Sequence, residues 1–346
     1  MTAAATVNRP LRIGDLELSS PVLVAPMVGI TDAPTRALVR ELGAGLVSSE
    51  MVPADAVVRA PEAVRALLDF PQDTHPVAAQ LVGADPAVMA DAAQLCTARG
   101  AAAIDVNLGC PVPRVVNRGS GAALARDVRA TVRVLAVLVA AVRVPVTVKM
   151  RLGWDHHSIN APELARALQD IGVAAVTVHG RTRCQKYLGS ADWREIARVK
   201  EAVDIPVLGS GDVGDARVAR LRIRSGMVDG VVIARGMLGN FWFVRQTVHH
   251  IATGEMLPDL NFASRIHLAR RHLDMLCAYH GEGRALRTGR KYVAWTIKGC
   301  NGAARLRAMV QQLDTRERLD ELFDQALCAG LGPEGWFRPA FTSGEG

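Results

Sequence analysis

The sequence predicts a (β/α)8 barrel, the TIM-barrel form of the α/β class, followed by a small C-terminal all-α helical domain. Three observations predict it. Eight short apolar runs recur between Val22 and Gly236, most of them separated by segments of helical character. Near-continuous apolar strands with helical crossovers make a parallel sheet covered on both faces, and eight is the number that closes it. Polar residues collect at the C-terminal ends of these runs, and beyond Gly254 the pattern becomes helical only. The expected division is a barrel over residues 1–250 and a helical domain over 255–335.

Bulk properties agree with a chain of this size burying a large core. Of 346 residues, 49% are hydrophobic and only 4% aromatic, so that core is mostly Ala, Val, Leu and Ile. A formal charge of +7 permits a polyanionic partner without requiring one. The six cysteines are scattered with no C-x-x-C spacing, which points to free thiols in a reducing compartment and to no metal site. The opening MTAAATVNRP lacks an apolar leader and no run of about 18 apolar residues follows, so the chain is expected to be cytoplasmic, with no membrane partner.

Taken in order, Leu11 to Ser20 reads as a hairpin around Gly14-Asp15 that closes one end of the barrel. Val22 to Ala25 is the first strand, broken at Pro26-Met27. A helix starts after Thr31-Asp32 with Pro34 in its first turn, and Gly43 ends it. The further strands are expected at 45–51, 76–83, 101–107, 144–151, 173–180, 205–212 and 229–236. In the tail, Ser264 to Tyr279 carries Ile266, Ala269, Leu273, Leu276 and Cys277 on one face. A second helix runs near Arg284 to Lys298, stopped by Gly299. The fourth starts at Thr315 and spaces Leu319, Leu322, Phe323, Ala326 and Leu327 helically. Between Arg265 and Arg307 stand ten Lys/Arg and two Asp/Glu, a local charge of +8. Such a face suits RNA, and it is also what an ordinary solvated helix shows.

The run AAAIDVNLGCP (101–111) concentrates the chemistry. A buried strand stops at Asn107, and the turn Leu108-Gly109-Cys110-Pro111 presents a thiol at the strand's C-terminal end, where such barrels keep their active sites. A lone cysteine is more often an inert filler. What shifts this one is its company at the other strand ends: Met27, Glu50, Gln80, Lys149, Arg151, His179, Ser210, Asp212 and Arg235. GSGD (209–212) and ARGM (234–237) occupy the two loops where barrels commonly hold a phosphate, with Arg235 able to add a charged contact. No Rossmann fingerprint is present, so FMN is a better candidate for a bound nucleotide than NAD. Gln80, Asn107 and Lys149 have the donors and acceptors a flavin edge needs, and a lysine there would stabilise reduced flavin. A rival reading makes Lys149 the Schiff-base lysine of an aldolase-type barrel, with Arg151 lowering its pKa.

These residues resemble the flavin-dependent tRNA-dihydrouridine synthases. The likeness runs through APMVGITDAPTR, VAAQLVG, IDVNLGCPVPRVVNRGSGAAL, VTVKMRLGW, VTVHGRTRCQKYLGSADW, PVLGSGDV, GVVIARGMLGNFW and RKYVAWTIKG. NLGCP, HGRT and ADW are its specific parts, and the chain is most similar to the bacterial B-type branch. The resemblance implies FMN across the barrel mouth, cradled by Pro26, Met27 and Val28. Gln80 and Lys149 would lie on the ring, with His179 at the flavin edge, and Ser210, Gly211, Asp212, Ala234 and Arg235 at the phosphate end. NADPH or NADH would reduce the flavin. A uridine flipped out of the tRNA D-arm would stack on it, receiving hydride at C6 from N5 and a proton at C5 from Cys110 on a mobile loop. Asn107 and Arg151 would contact the base, and Arg287, Arg290 and Lys291 of the tail would grip the tRNA. A thiol suits the acid role because its ordinary pKa, ~8.5, leaves it protonated at neutral pH. No obligate protein partner is implied, and the chain is expected to act as a monomer.

Two positions depart from the family pattern. Ser210-Gly211-Asp212 replaces the usual Asn-Gly-Asp, losing a carboxamide. Ala234-Arg235 replaces Gly-Arg, which costs backbone freedom if a positive φ is needed there. Two other readings use the same residues. One is an FMN-dependent dehydrogenase of a free pyrimidine or dihydroorotate, which gives no reason for the basic tail. The other is a non-catalytic tRNA-binding or chaperone protein, which gives none for Cys110.

Overall fold

The computed structural model describes residues 10–331; residues 332–335 of the expected helical domain lie outside it, as do residues 1–9. A short antiparallel hairpin, β1 (Leu11–Ile13) and β2 (Leu16–Leu18), precedes the barrel. The remaining strands are β3 (Val22–Val24), β4 (Leu46–Ser48), β5 (Val52–Pro53), β6 (Val77–Val82), β7 (Ala103–Leu108), β8 (Val146–Arg151), β9 (Ala175–His179), β10 (Val207–Ser210) and β11 (Gly230–Ile233). β3, β4 and β6 to β11 pair in parallel, and the β4–β6 and β11–β3 pairings close the sheet into an eight-stranded barrel. The strand expected at 45–51 is shorter, β4 covering only Leu46–Ser48 of the barrel wall, and an unexpected two-residue β5 just beyond that range pairs alongside the end of β6 at Val52↔Leu81.

Each strand alternates faces, and both faces are buried. The outward set, such as Val24, Val47, Leu81, Ile104, Val148 and Val178, forms one large core with the surrounding helices. The inward set begins apolar: Leu23, Leu46, Ala78, Ala103, Ala175, Leu208 and Val232 fill the lower bore together with Leu11, Ile13 and Leu18 of the hairpin. The hairpin therefore plugs the end opposite the C-terminal ends of the strands, and Gly14 (φ +56°) makes its turn against Pro145.

The barrel helices include α1 (Ala33–Glu41), α2 (Ala54–Arg59), α3 (Pro86–Ala98), α4 (Pro113–Val116), α5 (Val128–Ala141), α6 (Ala161–Asp170), α7 (Trp193–Ala202), α8 (Ala216–Arg224) and α9 (Trp242–Thr253). Aspartates recur as their N-caps: Asp32, Asp85, Asp127, Asp192 and Asp215 each accept a backbone N–H from the first turn. Four tail helices follow: α10 (Phe262–His280), α11 (Glu282–Thr296), α12 (Ala303–Val310) and α13 (Arg316–Ala329). Their apolar stripes, including Leu273, Leu276, Leu286, Val293, Leu319, Leu322 and Phe323, are buried and continuous with the barrel's outer core. Cys277 and Leu327 lie at its margin rather than inside it.

Candidate active site

Strand register assembles the site. The lower bore is apolar, but one pleat repeat higher the inward positions turn polar. Gln80, Asp105 and Thr147 stand in one register row, Asn107, Lys149 and Thr177 in the next, and Arg151, His179 and Ser210 in the third. From these rows, Gln80, Asn107, Lys149, Arg151, His179 and Ser210 line the floor of a cavity of about 1820 Å³ at the C-terminal end of the barrel. Pro26, Met27, Val28, Gln80, Asn107, Cys110, Lys149, Arg151, His179, Ser210, Gly211, Asp212, Ala234 and Arg235, named separately from the sequence, all line it. Arg287, Arg290 and Lys291 do not.

A chain of hydrogen bonds of fixed polarity leads from the floor to Cys110. Asp105, fully inside the bore, accepts from Thr147 Oγ1 at 2.7 Å and from Gln80 Nε2 at 2.6 Å. That turns Gln80 Oε1 towards Asn107, whose Nδ2 donates to it at 3.0 Å. Asn107 Oδ1 in turn accepts the backbone N–H groups of Gly109 and Cys110, at 3.0 and 2.8 Å. Arg151 holds the same loop from the side: its Nε donates to the Gly109 carbonyl at 2.9 Å, and its Nη1 to the carbonyls of Thr182 and Lys186. Cys110, half-buried, thus sits on a turn fastened at Gly109 and at its own N–H.

Burial also sets the charges. Burial pushes the Asp105 carboxyl upward, opposed by its hydrogen bonds from Gln80 and Thr147. Lys149 is lowered to about 8, first by burial and then by Arg151. His179 falls well below its usual range through burial and the nearby cations Lys149 and Arg151. It is neutral at pH 7, and its Nε2 is buried without a hydrogen-bond partner. An orphaned ring nitrogen beside a large cavity is a waiting contact for a ligand.

The two specific motifs converge on the loop after β10. Trp193 of ADW donates its Nε1 to the Gly211 carbonyl at 3.0 Å, and its ring fills the space that a side chain on Gly209 would take. Asp212, at φ +51°, accepts from Ala191 N at 2.7 Å and pairs with buried Arg181 of HGRT at 3.0 Å. Its carboxylate therefore shapes the loop from behind. Gly211 has φ +110°, which favours glycine, and lines the cavity. Ala234 has φ −122°, so the positive φ that would have made alanine costly there is not required. Arg235 stacks on Tyr187, 4.6 Å from the ring centroid.

Sequence reasoning missed several of these residues. Asp105, Thr147, Arg181 and Tyr187 went unassigned, as did Trp295, which reaches the cavity from α11. For Asp105 a signal existed: an acid two residues before Asn107 in a strand must share its inward face. In the tail, Arg290 donates to the Leu313 carbonyl at 2.8 and 3.2 Å, and Lys291 Nζ donates to the carbonyl of Gly29. Arg287 is exposed.

Comparison with known proteins agrees with this layout. The family model described as Dihydrouridine synthase (Dus) matches residues 23–329. A probable tRNA-dihydrouridine synthase of Rickettsia bellii is 40% identical over 88% of this chain and 94% of its own. A tRNA-dihydrouridine synthase B of Xanthomonas axonopodis is 38% identical over 93% and 98%. Among solved structures, a morphinone reductase variant in complex with tetrahydroNAD superposes with a TM-score of 0.52 at 14% identity, covering 74% of this chain and 93% of that one. A histamine dehydrogenase from a Rhizobium species gives 0.59 at 12%, covering 94% and 64%. At those identities the two structures share the barrel fold alone. The family match, spanning the barrel and the tail, and the relatives' identity over nearly their full length place this chain in the dihydrouridine synthase family.

Proposed function

We propose that the chain reduces uridines in the D-loop of tRNA to 5,6-dihydrouridine, with FMN in the cavity and NADPH or NADH as reductant. Family membership supports the reaction class. The observation that carries the residue assignment is the fixed chain Asp105–Gln80–Asn107–Cys110, which sets one thiol above a polar floor.

The residues present fit a flavin mononucleotide. His179 Nε2 is a buried ring nitrogen with no partner, Lys149 supplies positive charge, and Gly211 and Arg235 line the same cavity, where an anion would lie. Val28, exposed in the β3–α1 loop, and Met27 beside it offer apolar surface for a ring. Once bound and reduced, the flavin supplies the hydride for the uracil. With its pKa near 8, Lys149 is mostly protonated at pH 7 and would hold negative charge on the ring edge. Asn107 keeps the Cys110 turn in place while the thiol gives its proton to C5, and Arg151 prevents the turn from swinging away. A base inside folded RNA must be extruded to reach this floor, and contacts to its phosphates offset that cost of a few kcal/mol.

The lowered pKa of Lys149 also suits an imine-forming amine. Borohydride with an aldehyde would trap such an adduct on Lys149; under the proposed function none forms. The direct test is a position-resolved map of dihydrouridine in tRNA from cells lacking the gene, and from the same cells complemented. Loss and rescue at a D-loop position supports the proposal, and purified protein without flavin together with an unchanged map would overturn it.

A further inference from the structure

The β3–α1 loop, residues 26–31, is held from three sides. Internally, the Thr31 hydroxyl accepts the Met27 N–H at 3.0 Å, and Met27 O accepts the N–H groups of Ile30 and Thr31, each at 3.0 Å. From the barrel, Glu50 accepts the Gly29 N–H at 2.7 Å. From the tail, Lys291 Nζ donates to the Gly29 carbonyl and Tyr292 OH to the Ile30 carbonyl, the latter at 3.0 Å. An anion and a cation thus hold opposite ends of one residue, each matched to the pole of the backbone it meets. Gly29 has φ +74°, and a Cβ there would sit 3.5 Å from the Lys291 ammonium.

Tyr292 is itself immobilised. It is 4% exposed, and its ring packs edge-on against His272 and Trp295 at 4.6 and 5.7 Å. One turn further along α11, Trp295 lines the cavity. The backbone of Trp295 packs so closely on Gly239 (φ +76°), in the segment after β11, that a Cβ on Gly239 would come within 2.6 Å of the Trp295 carbonyl oxygen. α11 therefore touches both flanks of the cavity mouth, the loop after the first barrel strand and the segment after the last.

We propose that α11 is a wall of the cofactor pocket, and that Lys291 and Tyr292 are positioning residues for the loop that cradles the flavin. The inference rests on the flavin reading above and gives Lys291 a role other than gripping RNA. The tail then acts on the flavin even when no tRNA is present. Its contribution is to hold Met27 and Val28 in place before the cofactor arrives, which raises affinity by removing an ordering cost from binding.

The test uses the full-length protein stripped of flavin and titrated with FMN in the absence of tRNA, alongside tRNA affinity and melting temperature. Lys291→Met and Tyr292→Phe are each expected to weaken FMN binding by roughly three- to tenfold, the range set by losing one hydrogen bond. Lys291→Arg, which keeps a donor, should restore affinity to within about twofold of wild type. Arg271→Gln is the control: it breaks an exposed α10–α1 ion pair with Glu41, away from the loop, and should leave FMN affinity unchanged. Unchanged FMN affinity in Lys291→Met and Tyr292→Phe, with tRNA affinity lowered instead, overturns the inference and returns Lys291 to the RNA surface. A wild-type protein that takes up no FMN at any concentration defeats the flavin reading itself, and this inference with it.

Discussion

The barrel mouth and the helical tail are both rich in charge and use it differently. At the mouth, cations face a cavity: Lys149 and Arg235 line it, and burial has lowered the pKa of each. In the tail, half of the ten cations between Arg265 and Arg307 are turned to the protein's own structure. Arg265 donates to carbonyls at the end of α11, Arg270 pairs with Asp320 and Asp324, and Arg271 pairs with Glu41. Arg290 and Lys291 are committed to carbonyls, as described above. Arg284, Arg287, Arg305 and Arg307 are exposed. A basic stretch of sequence is thus not a basic surface of the same strength, because a guanidinium serves a loop carbonyl as readily as a phosphate.

That contrast can be broken at its strongest point first. Asp105→Leu should destabilise the fold by roughly 2–4 kcal/mol in denaturant melts, since it strands the amide of Gln80 and the hydroxyl of Thr147 inside the bore. Asp105→Asn, which keeps an acceptor, should lose less; equal stability of all three proteins would remove Asp105 from the network. In the tail, reversing Arg284, Arg287, Arg305 and Arg307 to Glu together should weaken tRNA binding by tenfold or more at low salt, on the order expected for four phosphate contacts, and flatten its salt dependence. An unchanged salt slope would mean the RNA lies elsewhere.

Lys149 makes a pH prediction. Its charge is present below about 8 and lost above it, so affinity for an anionic flavin should be level below pH 8 and decline as pH rises past it, by up to about tenfold per unit. Lys149→Met should bind more weakly and show no such decline. The smallest effect is expected at Arg290: Arg290→Gln removes hydrogen bonds to Leu313 and should cost about 1 kcal/mol of stability while leaving the salt slope of tRNA binding alone.

How much was legible in advance follows the same division. The barrel could be read because its strands repeat one pattern, and the polar residue ending each run marks the catalytic rim. Asn107 and Cys110, which line the cavity, stand out this way, and the hairpin plug follows from its position before the first strand. Asp105 was hidden inside an apolar run, where only the two-residue period exposes it. Arg36 and Arg181 are each 1% exposed, yet sequence gives an arginine no sign of burial when its partners are backbone carbonyls of neighbouring turns such as Thr31 and Leu188. The tail's helices and buried faces could be read from their spacing. The partners of its cations could not, because they lie far along the chain: Leu313 for Arg290, Asp324 for Arg270, Glu41 for Arg271 and Gly29 for Lys291.

The most direct measurement of the central claim is a single-turnover assay with purified enzyme, NADPH and tRNA lacking dihydrouridine, comparing wild type with Cys110→Ala. The wild type should carry FMN, be reduced by NADPH and form dihydrouridine. Cys110→Ala should keep its flavin and its reduction by NADPH, yet form product about 10²–10⁴ times more slowly, the range for losing a general acid. Product formation by Cys110→Ala at the wild-type rate would contradict the account.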